Sequence, residues 1–280
     1  MKPVVLAHGY LGFDKFAELE YFRGVKAHLE NRGITVFSSV VGPKDSVPQR
    51  AAALEVEIRQ QFPSQQVHVI AHSMGGLDAR FLLGGNGRAP AGVIASLTTV
   101  STPHRGTFLA KIATGTALPA GLAGEARFKA ATGAVLAAAG QAVEEFGNLF
   151  HDPSVVASPV SAYVRKLFAL KDDAVKDLTP ERCQELFPPG APSSGVPCFS
   201  YAGVASPGHN LDPLLLLPNL ILQSAEGDND GMVGVASAQF GEFMERLPAD
   251  HAGVIGWGFN DHLPWYGRMI DNIQAKVADG

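Results

Sequence analysis

The chain has 280 residues, 46% of them hydrophobic, and its formal net charge at pH 7 is −5. This length and hydrophobic content suffice for one α/β domain over residues 1–280. The negative balance, with no lysine-rich or arginine-rich tract, gives no reason to expect nucleic acid as a partner. No apolar stretch approaches the length of a transmembrane helix, so we expect no membrane span.

The first predicted element is a strand over residues 4–7, a continuous apolar run typical of a strand buried on both faces. It ends in a glycine-containing loop over residues 8–12, whose backbone N–H groups can turn toward an anion. The strand begins too early to leave room for a secretory leader. Two locations therefore stay possible: the protein acts inside the cell, or it is secreted and its leader has been removed from this sequence.

Helical and strand-like patterns then alternate, which predicts a mostly parallel central sheet flanked by helices. The predicted elements are a helix over 16–32 ending at Gly33, a strand over 34–37, a helix from Ser46 to Pro63 with a capping box to Gln49, and a strand over 93–100.

Within this series, residues 67–77 read as a buried strand that breaks at a tight turn around Ser73 and runs directly into a helix. This is the shape of a nucleophile elbow, with small residues at Ala71 and Gly75 where the strand and the helix approach each other. In such folds the residue after the nucleophile and a loop like 8–12 supply two N–H groups for an oxyanion, which here are those of Met74 and Tyr10.

A serine hydroxyl is a poor nucleophile until a base takes its proton, so the elbow predicts an acid and then a histidine further along the chain. An apolar run at 220–222, predicted as a strand, precedes a turn in which Asp230 and Asp228 are both candidate acids.

Two histidines follow as candidate bases. His251 lies in a turn with no evident capping role, whereas His262 precedes the predicted final helix and has an alternative interpretation as a helix-start residue. We therefore favour His251 and keep His262 as the alternative.

The simple alternation stops in the segment 107–170, where residues 113–143 hold twelve alanines and five glycines. This helix-permissive composition predicts a helical lid over Ser73, or a helical insertion that packs permanently and shapes the pocket. A lid that opened at an oil–water interface would expose apolar residues, namely Leu109, Ile112, Leu118, Leu122, Phe128, Val135 and Leu136.

We expect neither a metal nor another cofactor, because no group of His, Cys and carboxylates has the spacing of a zinc site and no phosphate-binding glycine loop follows a strand. The two cysteines, Cys183 and Cys198, lie in a proline-rich and glycine-rich region. Their spacing is compatible with a disulfide or with two buried thiols.

Four motifs resemble those of bacterial triacylglycerol lipases of the Pseudomonas and Burkholderia type. They are residues 8–14 (HGYLGFD), 71–76 (AHSMGG), 101–106 (STPHRG) and 229–233 (NDGMV). The resemblance implies an α/β-hydrolase fold with a mobile helical lid. It also implies a triad of Ser73, Asp230 and His251, with Tyr10 and Met74 as oxyanion donors.

The activity implied is hydrolysis of triacylglycerols or other medium-chain or long-chain esters through an acyl-enzyme. A short-chain esterase, a polyester hydrolase or an acyltransferase would use the same residues, and a non-catalytic ligand-binding relative is a further alternative. The oligomeric state stays open.

The chain departs from these lipases in two places. Their structural calcium is bound by an aspartate two positions after the catalytic histidine and by a later glutamine, where this chain has Gly253 and Trp257. Their disulfide uses a cysteine shortly after the catalytic acid, whereas residues 235–237 of this chain are Val, Ala and Ser.

Overall fold

The structure, a computed structural model, describes residues 1–10, 12, 15–16, 19–84, 89–117, 172–188, 195–212, 215–258 and 260–277. At its centre lies a six-stranded parallel sheet. Its strands are β1 Val4–Ala7, β4 Val36–Ser39, β5 Val67–His72, β6 Ile94–Val100, β7 Cys198–Gly203 and β8 Glu242–Leu247. Their order across the sheet is β4-β1-β5-β6-β7-β8. A short antiparallel hairpin, β2 Lys15–Phe16 and β3 Leu19–Glu20, lies outside this sheet.

Helices cover both faces of the sheet. They are α1 Val25–Glu30, α2 Val47–Gln61, α3 Met74–Leu82, α4 Phe108–Thr114, α5 Asp173–Asp177, α6 Pro180–Leu186, α7 Leu216–Ala225, α8 Val235–Ala238 and α9 Leu263–Lys276, with a 3₁₀ turn at Gly253–Ile255. None of the helices in the described part of the chain is long and apolar enough to cross a membrane.

Alternate residues of the central strands build two separate cores, as the side-chain alternation of a strand requires. Val5 and Val69 belong to the core that includes α2, α3 and α4. Leu6 and Ile70 belong to the core that includes α1 and α9. The sheet is therefore buried on both faces, and the predicted α/β architecture is confirmed.

Several predicted elements match the structure closely. The strand over 4–7 is β1, and the predicted strand 93–100 is β6 Ile94–Val100. Helix α2 carries the capping box between Ser46 and Gln49. These signals are local, since they depend on hydrophobic runs and on caps a few residues long.

Two predicted elements are wrong. The helix over 16–32 is reduced to α1, because Gly24 adopts a left-handed conformation (φ 69°) and a hairpin precedes it. The apolar run 220–222 lies in α7 and not in a strand. A short apolar run cannot by itself distinguish a buried strand from a buried helix, and Pro218 is tolerated in the first turn of α7, where its N–H would lack a partner anyway.

The segment 107–170, predicted as a lid, begins with α4, whose Leu109 and Ile112 are fully buried in the core and not available for exposure. Residues 118–171 lie outside the described residues, and with them the other apolar positions expected to face lipid, Leu118, Leu122, Phe128, Val135 and Leu136.

Candidate active site

Ser73 occupies the sharp turn between β5 and α3 at the carboxyl edge of the sheet. Its backbone has φ 54° and ψ −130°, a region that non-glycine residues rarely adopt and that costs about 1–3 kcal/mol. The Ser73 N–H donates to the carbonyl of Val100 at 3.0 Å, which holds the turn against β6.

Small residues around Ser73 allow this turn to pack against its neighbours. A Cβ on Gly75 would lie 2.5 Å from the Ala7 carbonyl oxygen, and one on Gly76 would lie 2.1 Å from Oγ1 of Thr102. A Cβ on Gly9 would lie 2.7 Å from Cβ of Ser73. The loop after β1 therefore lies directly against the serine. The neighbours that require a small residue at Gly75 are the carbonyls of Ala7 and His8, and not the strand of the elbow that the sequence analysis expected.

The three residues favoured by the sequence converge at this edge. Nε2 of His251 lies 2.9 Å from Oγ of Ser73, and its Nδ1 lies 2.8 Å from Oδ2 of Asp230. Asp230 is fully buried beside the end of β7, and its Oδ1 accepts the N–H groups of Met232 and Val233 at 2.9 and 2.8 Å. The His251 N–H donates to the Asp230 carbonyl at 2.9 Å, so backbone and side chain both fix the pair.

A second histidine packs against His251. The ring centroids of His72 and His251 are 4.5 Å apart, and burial, reinforced by the charge that His251 can carry, lowers the pKa of His72 well below its usual value. His72 is therefore neutral near pH 7.

Tyr21 connects this pair to the loop after β1. Its hydroxyl accepts the N–H of Gly9 at 3.0 Å and lies 2.8 Å from Nδ1 of His72. Burial raises the pKa of Tyr21, so the phenol keeps its proton. Donation of this proton to Nδ1 satisfies both contacts and leaves the His72 hydrogen on Nε2.

Arg50 holds the same loop from the other side. Its fully buried guanidinium donates to Oδ2 of Asp78 at 2.8 Å and to the carbonyls of His8 and Gly9 at 2.7 and 3.3 Å. Nδ1 of His8 lies 2.8 Å from the Gly9 carbonyl, while Nε2 of His8 accepts the Val41 N–H at 3.2 Å. The Gly9 carbonyl also accepts the Gly12 N–H at 3.2 Å and is thus oriented by three donors.

No family model matches the chain. A similar protein of known family nevertheless covers most of it. The chain is 30% identical over 270 residues to a triacylglycerol lipase of Pseudomonas fragi, covering 90% of this chain and 87% of that protein. It belongs to the triacylglycerol lipase family. It is a serine hydrolase of the lipase and esterase class.

Two further relatives agree with this assignment. A triacylglycerol lipase of Vibrio cholerae is 26% identical over 255 residues, covering 86% of this chain and 75% of that protein. The structure of lipase 1 from Pelosinus fermentans superposes with a TM-score of 0.65 at 19% identity, covering 99% of this chain and 100% of that chain. The latter supports the α/β-hydrolase fold.

The alternative acid and base of this lipase-family member lie elsewhere. Asp228 is half exposed and forms an ion pair with Arg246 at 2.7 Å. His262 precedes α9, and its Nε2 lies 2.7 Å from the carbonyl of Arg23. The structure therefore brings Ser73, Asp230 and His251 together and does not bring either alternative to Ser73.

The loop that carries His251 is held by Asp250. Its Oδ1 accepts the N–H groups of Ala252 and Gly253 at 3.1 and 2.7 Å, and its Oδ2 accepts that of Asp212 at 2.6 Å. Within the described ranges, no group of three or more His, Cys, Asp and Glu side chains could hold a metal ion. Three hydrogen bonds from backbone amides to the Asp250 carboxylate thus fix the loop.

The two cysteines are both free thiols. Sγ of Cys183 donates to the carbonyl of Asp177 at 3.2 Å, and Sγ of Cys198 donates to that of Val196 at 3.3 Å. Of the two alternatives left open by the sequence, the structure has the thiols and not the disulfide.

The sequence did not identify Tyr21 or Arg50 as part of the site. Each acts through a partner distant in the chain, Tyr21 through His72 and Arg50 through Asp78 and the loop after β1. No local pattern marks either residue, because a tyrosine before an apolar residue and an arginine in an amphipathic helix are both ordinary.

Proposed function

We propose that the chain hydrolyses carboxylic esters with medium or long acyl chains, triacylglycerols included, through an acyl-enzyme on Ser73. The observation that carries this proposal is the chain of contacts from Oγ of Ser73 to Nε2 of His251 at 2.9 Å and from its Nδ1 to Oδ2 of Asp230 at 2.8 Å. Such a chain lets a neutral imidazole take the hydroxyl proton while the carboxylate stabilises the cation that forms.

In the first half of the reaction, His251 accepts the Ser73 proton as Oγ attacks the ester carbonyl, and the same proton then goes to the leaving alcohol. In the second half, His251 takes a proton from water, and the hydroxide that forms attacks the acyl-enzyme. The proton returns to Oγ as the carboxylic acid leaves. Asp230 stays ionised throughout, supported by two backbone N–H groups.

The oxyanion of each tetrahedral intermediate would be bound by the N–H groups of Met74 and Tyr10. Met74 is the first residue of α3, where an N–H has no acceptor within its own helix. The Tyr10 N–H shares a trans peptide with the Gly9 carbonyl and points the opposite way. Because His8 and Arg50 both bind that carbonyl, the Tyr10 N–H is turned away from them.

Lipid esters are the substrate class favoured by the relatives, since the proteins of Pseudomonas fragi and Vibrio cholerae are both named triacylglycerol lipases. A comparison of butyrate and palmitate esters, with and without an emulsion interface, tests this choice. Faster palmitate cleavage that increases at the interface supports a lipase. Preference for dissolved butyrate would indicate a short-chain esterase, and ester formation with added alcohol would indicate an acyltransferase.

The catalytic assignment is tested by labelling with a fluorophosphonate, which forms a covalent bond to an activated serine. We expect labelling of the wild-type protein, none of Ser73→Ala, a decrease of at least a hundredfold in rate for His251→Ala, and a rate within about twofold for His262→Ala. Equal labelling of His251→Ala and the wild type would overturn the choice of base. Labelling of Ser73→Ala would overturn the assignment of Ser73 as the nucleophile.

A further inference from the structure

A cavity of about 530 Å³ opens beside α3, apart from the residues assigned to ester hydrolysis. It lies between Arg80 near the end of α3, His104 and Arg105 after β6, Phe187 after α6, and Phe240 before β8. Its volume is within the range of small-molecule sites. Arg80 follows Ser73 by seven residues, roughly 10 Å along the helix, and none of the lining residues belongs to the proposed triad or oxyanion site.

The charge in this cavity has one sign. Arg80 and Arg105 are the charged residues among its lining, although the chain as a whole carries a net charge of −5. The Arg80 guanidinium lies between the rings of Phe187 and Phe240, 4.2 and 4.4 Å from their centroids, and donates to the His104 carbonyl at 3.1 Å. No carboxylate of the described residues pairs with it, and burial followed by the charge of Arg105 lowers its pKa to about 10.

His104 adds an unsatisfied polar atom to the same wall. The ring is buried, stacks on Phe240 at 4.6 Å, and has Nε2 3.1 Å from Oγ1 of Thr99. Its Nδ1 has no hydrogen-bond partner in the described structure. Burial and the two arginines lower the pKa of His104, so the ring is neutral. Because the Thr99 hydroxyl donates to the Phe199 carbonyl at 3.4 Å, Nε2 of His104 donates to Oγ1 of Thr99 and Nδ1 is left as an acceptor.

We propose that this cavity binds the carboxylate of a fatty acid, with its two oxygens at Arg80 and Arg105 and its hydrocarbon chain against Phe187 and Phe240. A carboxylate matches the planar fork of a guanidinium, and both faces of Arg80 are already covered by rings, so the ligand approaches along its edge. The apolar walls favour an anion with a hydrocarbon tail over inorganic phosphate. The expectation that this fatty acid is a product of ester hydrolysis rests on the proposed function, whereas the binding site itself does not.

The test is isothermal titration calorimetry with octanoate, which requires no turnover and is therefore independent of whether Ser73 is the nucleophile. Arg105→Gln changes an exposed residue, and Arg80→Gln changes a half-buried one. Arg246→Gln is the matched control, because Arg246 is an exposed arginine paired with Asp228 outside the cavity. We expect octanoate affinity to fall at least tenfold in Arg105→Gln and in folded Arg80→Gln, and to stay within twofold in Arg246→Gln.

Three ligands complete the test. We expect acetate, octanol and inorganic phosphate each to bind at least tenfold more weakly than octanoate. Acetate and phosphate lack the hydrocarbon tail, and octanol lacks the negative charge. Octanoate affinity unchanged in Arg105→Gln would overturn the site, because it would show that octanoate binds elsewhere, for example beside Ser73. An affinity for octanol equal to that for octanoate would overturn the role of the carboxylate charge. An affinity for phosphate equal to that for octanoate would overturn the role of the hydrocarbon tail.

Discussion

The hydroxyl of Tyr21 lies 2.8 Å from Nδ1 of His72 while it accepts the N–H of Gly9 at 3.0 Å. One side chain thus connects the residue before the nucleophile to the loop proposed to bind the oxyanion. Because Tyr21 contacts neither the proposed base nor the serine in these bonds, it is a positioning residue.

We expect Tyr21→Phe to lower kcat by about tenfold to a hundredfold with KM within about twofold, because a displacement of the loop weakens binding of the transition state more than that of the substrate. Loss of two buried hydrogen bonds should also lower the free energy of unfolding by about 1–3 kcal/mol. Ester kinetics and urea unfolding measure the two effects.

The control for this variant is Tyr201→Phe. The Tyr201 hydroxyl accepts from Nδ2 of Asn272 and makes no hydrogen bond with the described residues of the loop after β1. The Tyr201→Phe variant should have a lower free energy of unfolding than the wild type and an unchanged kcat. A Tyr21→Phe variant that lost only stability would show that Tyr21 has no positioning role.

Asp230 and Asp228 differ by two positions and offer a matched pair of substitutions. We expect Asp230→Asn to lower turnover by about 10³ to 10⁴, because an amide no longer stabilises the imidazolium and favours the wrong tautomer. Asp228→Asn breaks only the exposed pair with Arg246 and should stay within about twofold. Similar losses in the two variants, measured by ester hydrolysis, would contradict the assignment of the acid.

Chain order alone left two acids and two histidines open, because both members of each pair lie in suitable turns. The order of the sheet strands decides which of them meet Ser73, and this order is a tertiary property. By contrast, the turn at Ser73 was predictable because a buried strand, a small residue and a helix are adjacent in sequence. Arg50 was not predictable, since its partners Asp78 and the carbonyls of residues 8 and 9 lie far from it in the chain.

Stability should depend on pH through His8. Burial, and then the charge of Arg50, lower the pKa of His8 from 6.5 to about 4. Between these values the unfolded chain binds more protons than the folded one, so stability is lost as the pH falls from about 6.5 toward 4. The loss from this histidine is at most about 1.4 kcal/mol per pH unit. Protonation would also remove the lone pair of Nε2 that accepts the Val41 N–H.

Urea unfolding between about pH 7 and about pH 5 measures this dependence. His8→Gln should reduce the slope of unfolding free energy against pH by about one proton, and His209→Gln, at an exposed histidine, is the variant for comparison. Burial raises the pKa of Asp78 to about 6, which has the opposite sign but is common to all three proteins. An unchanged slope in His8→Gln would rule out this contribution.

Gly75 and Gly267 are both helical glycines with different surroundings. The methyl group of Gly75→Ala would press on the backbone carbonyls of Ala7 and His8, 2.5 and 2.6 Å away, and displace the proposed oxyanion loop. We expect a stability loss of about 1–3 kcal/mol and a turnover loss of about a hundredfold.

Gly267→Ala meets only the ends of flexible side chains, Arg32 at 3.1 Å and His28 at 3.5 Å, in the interior of α9. Higher helix propensity should make it neutral or more stable by up to about 1 kcal/mol, with unchanged turnover. Urea unfolding and ester kinetics compare the two variants. Full activity in Gly75→Ala would show that the loop does not depend on this close approach.

The backbone conformation of Ser73 sets a limit on how this protein can be made more heat-resistant. A glycine at this position would relax the unfavourable dihedral angles at φ 54° and ψ −130° without disturbing the surrounding core. Selection for thermal resistance alone would therefore reward loss of the hydroxyl on which the proposed chemistry depends. A screen for heat-resistant variants therefore has to measure ester turnover in the same round.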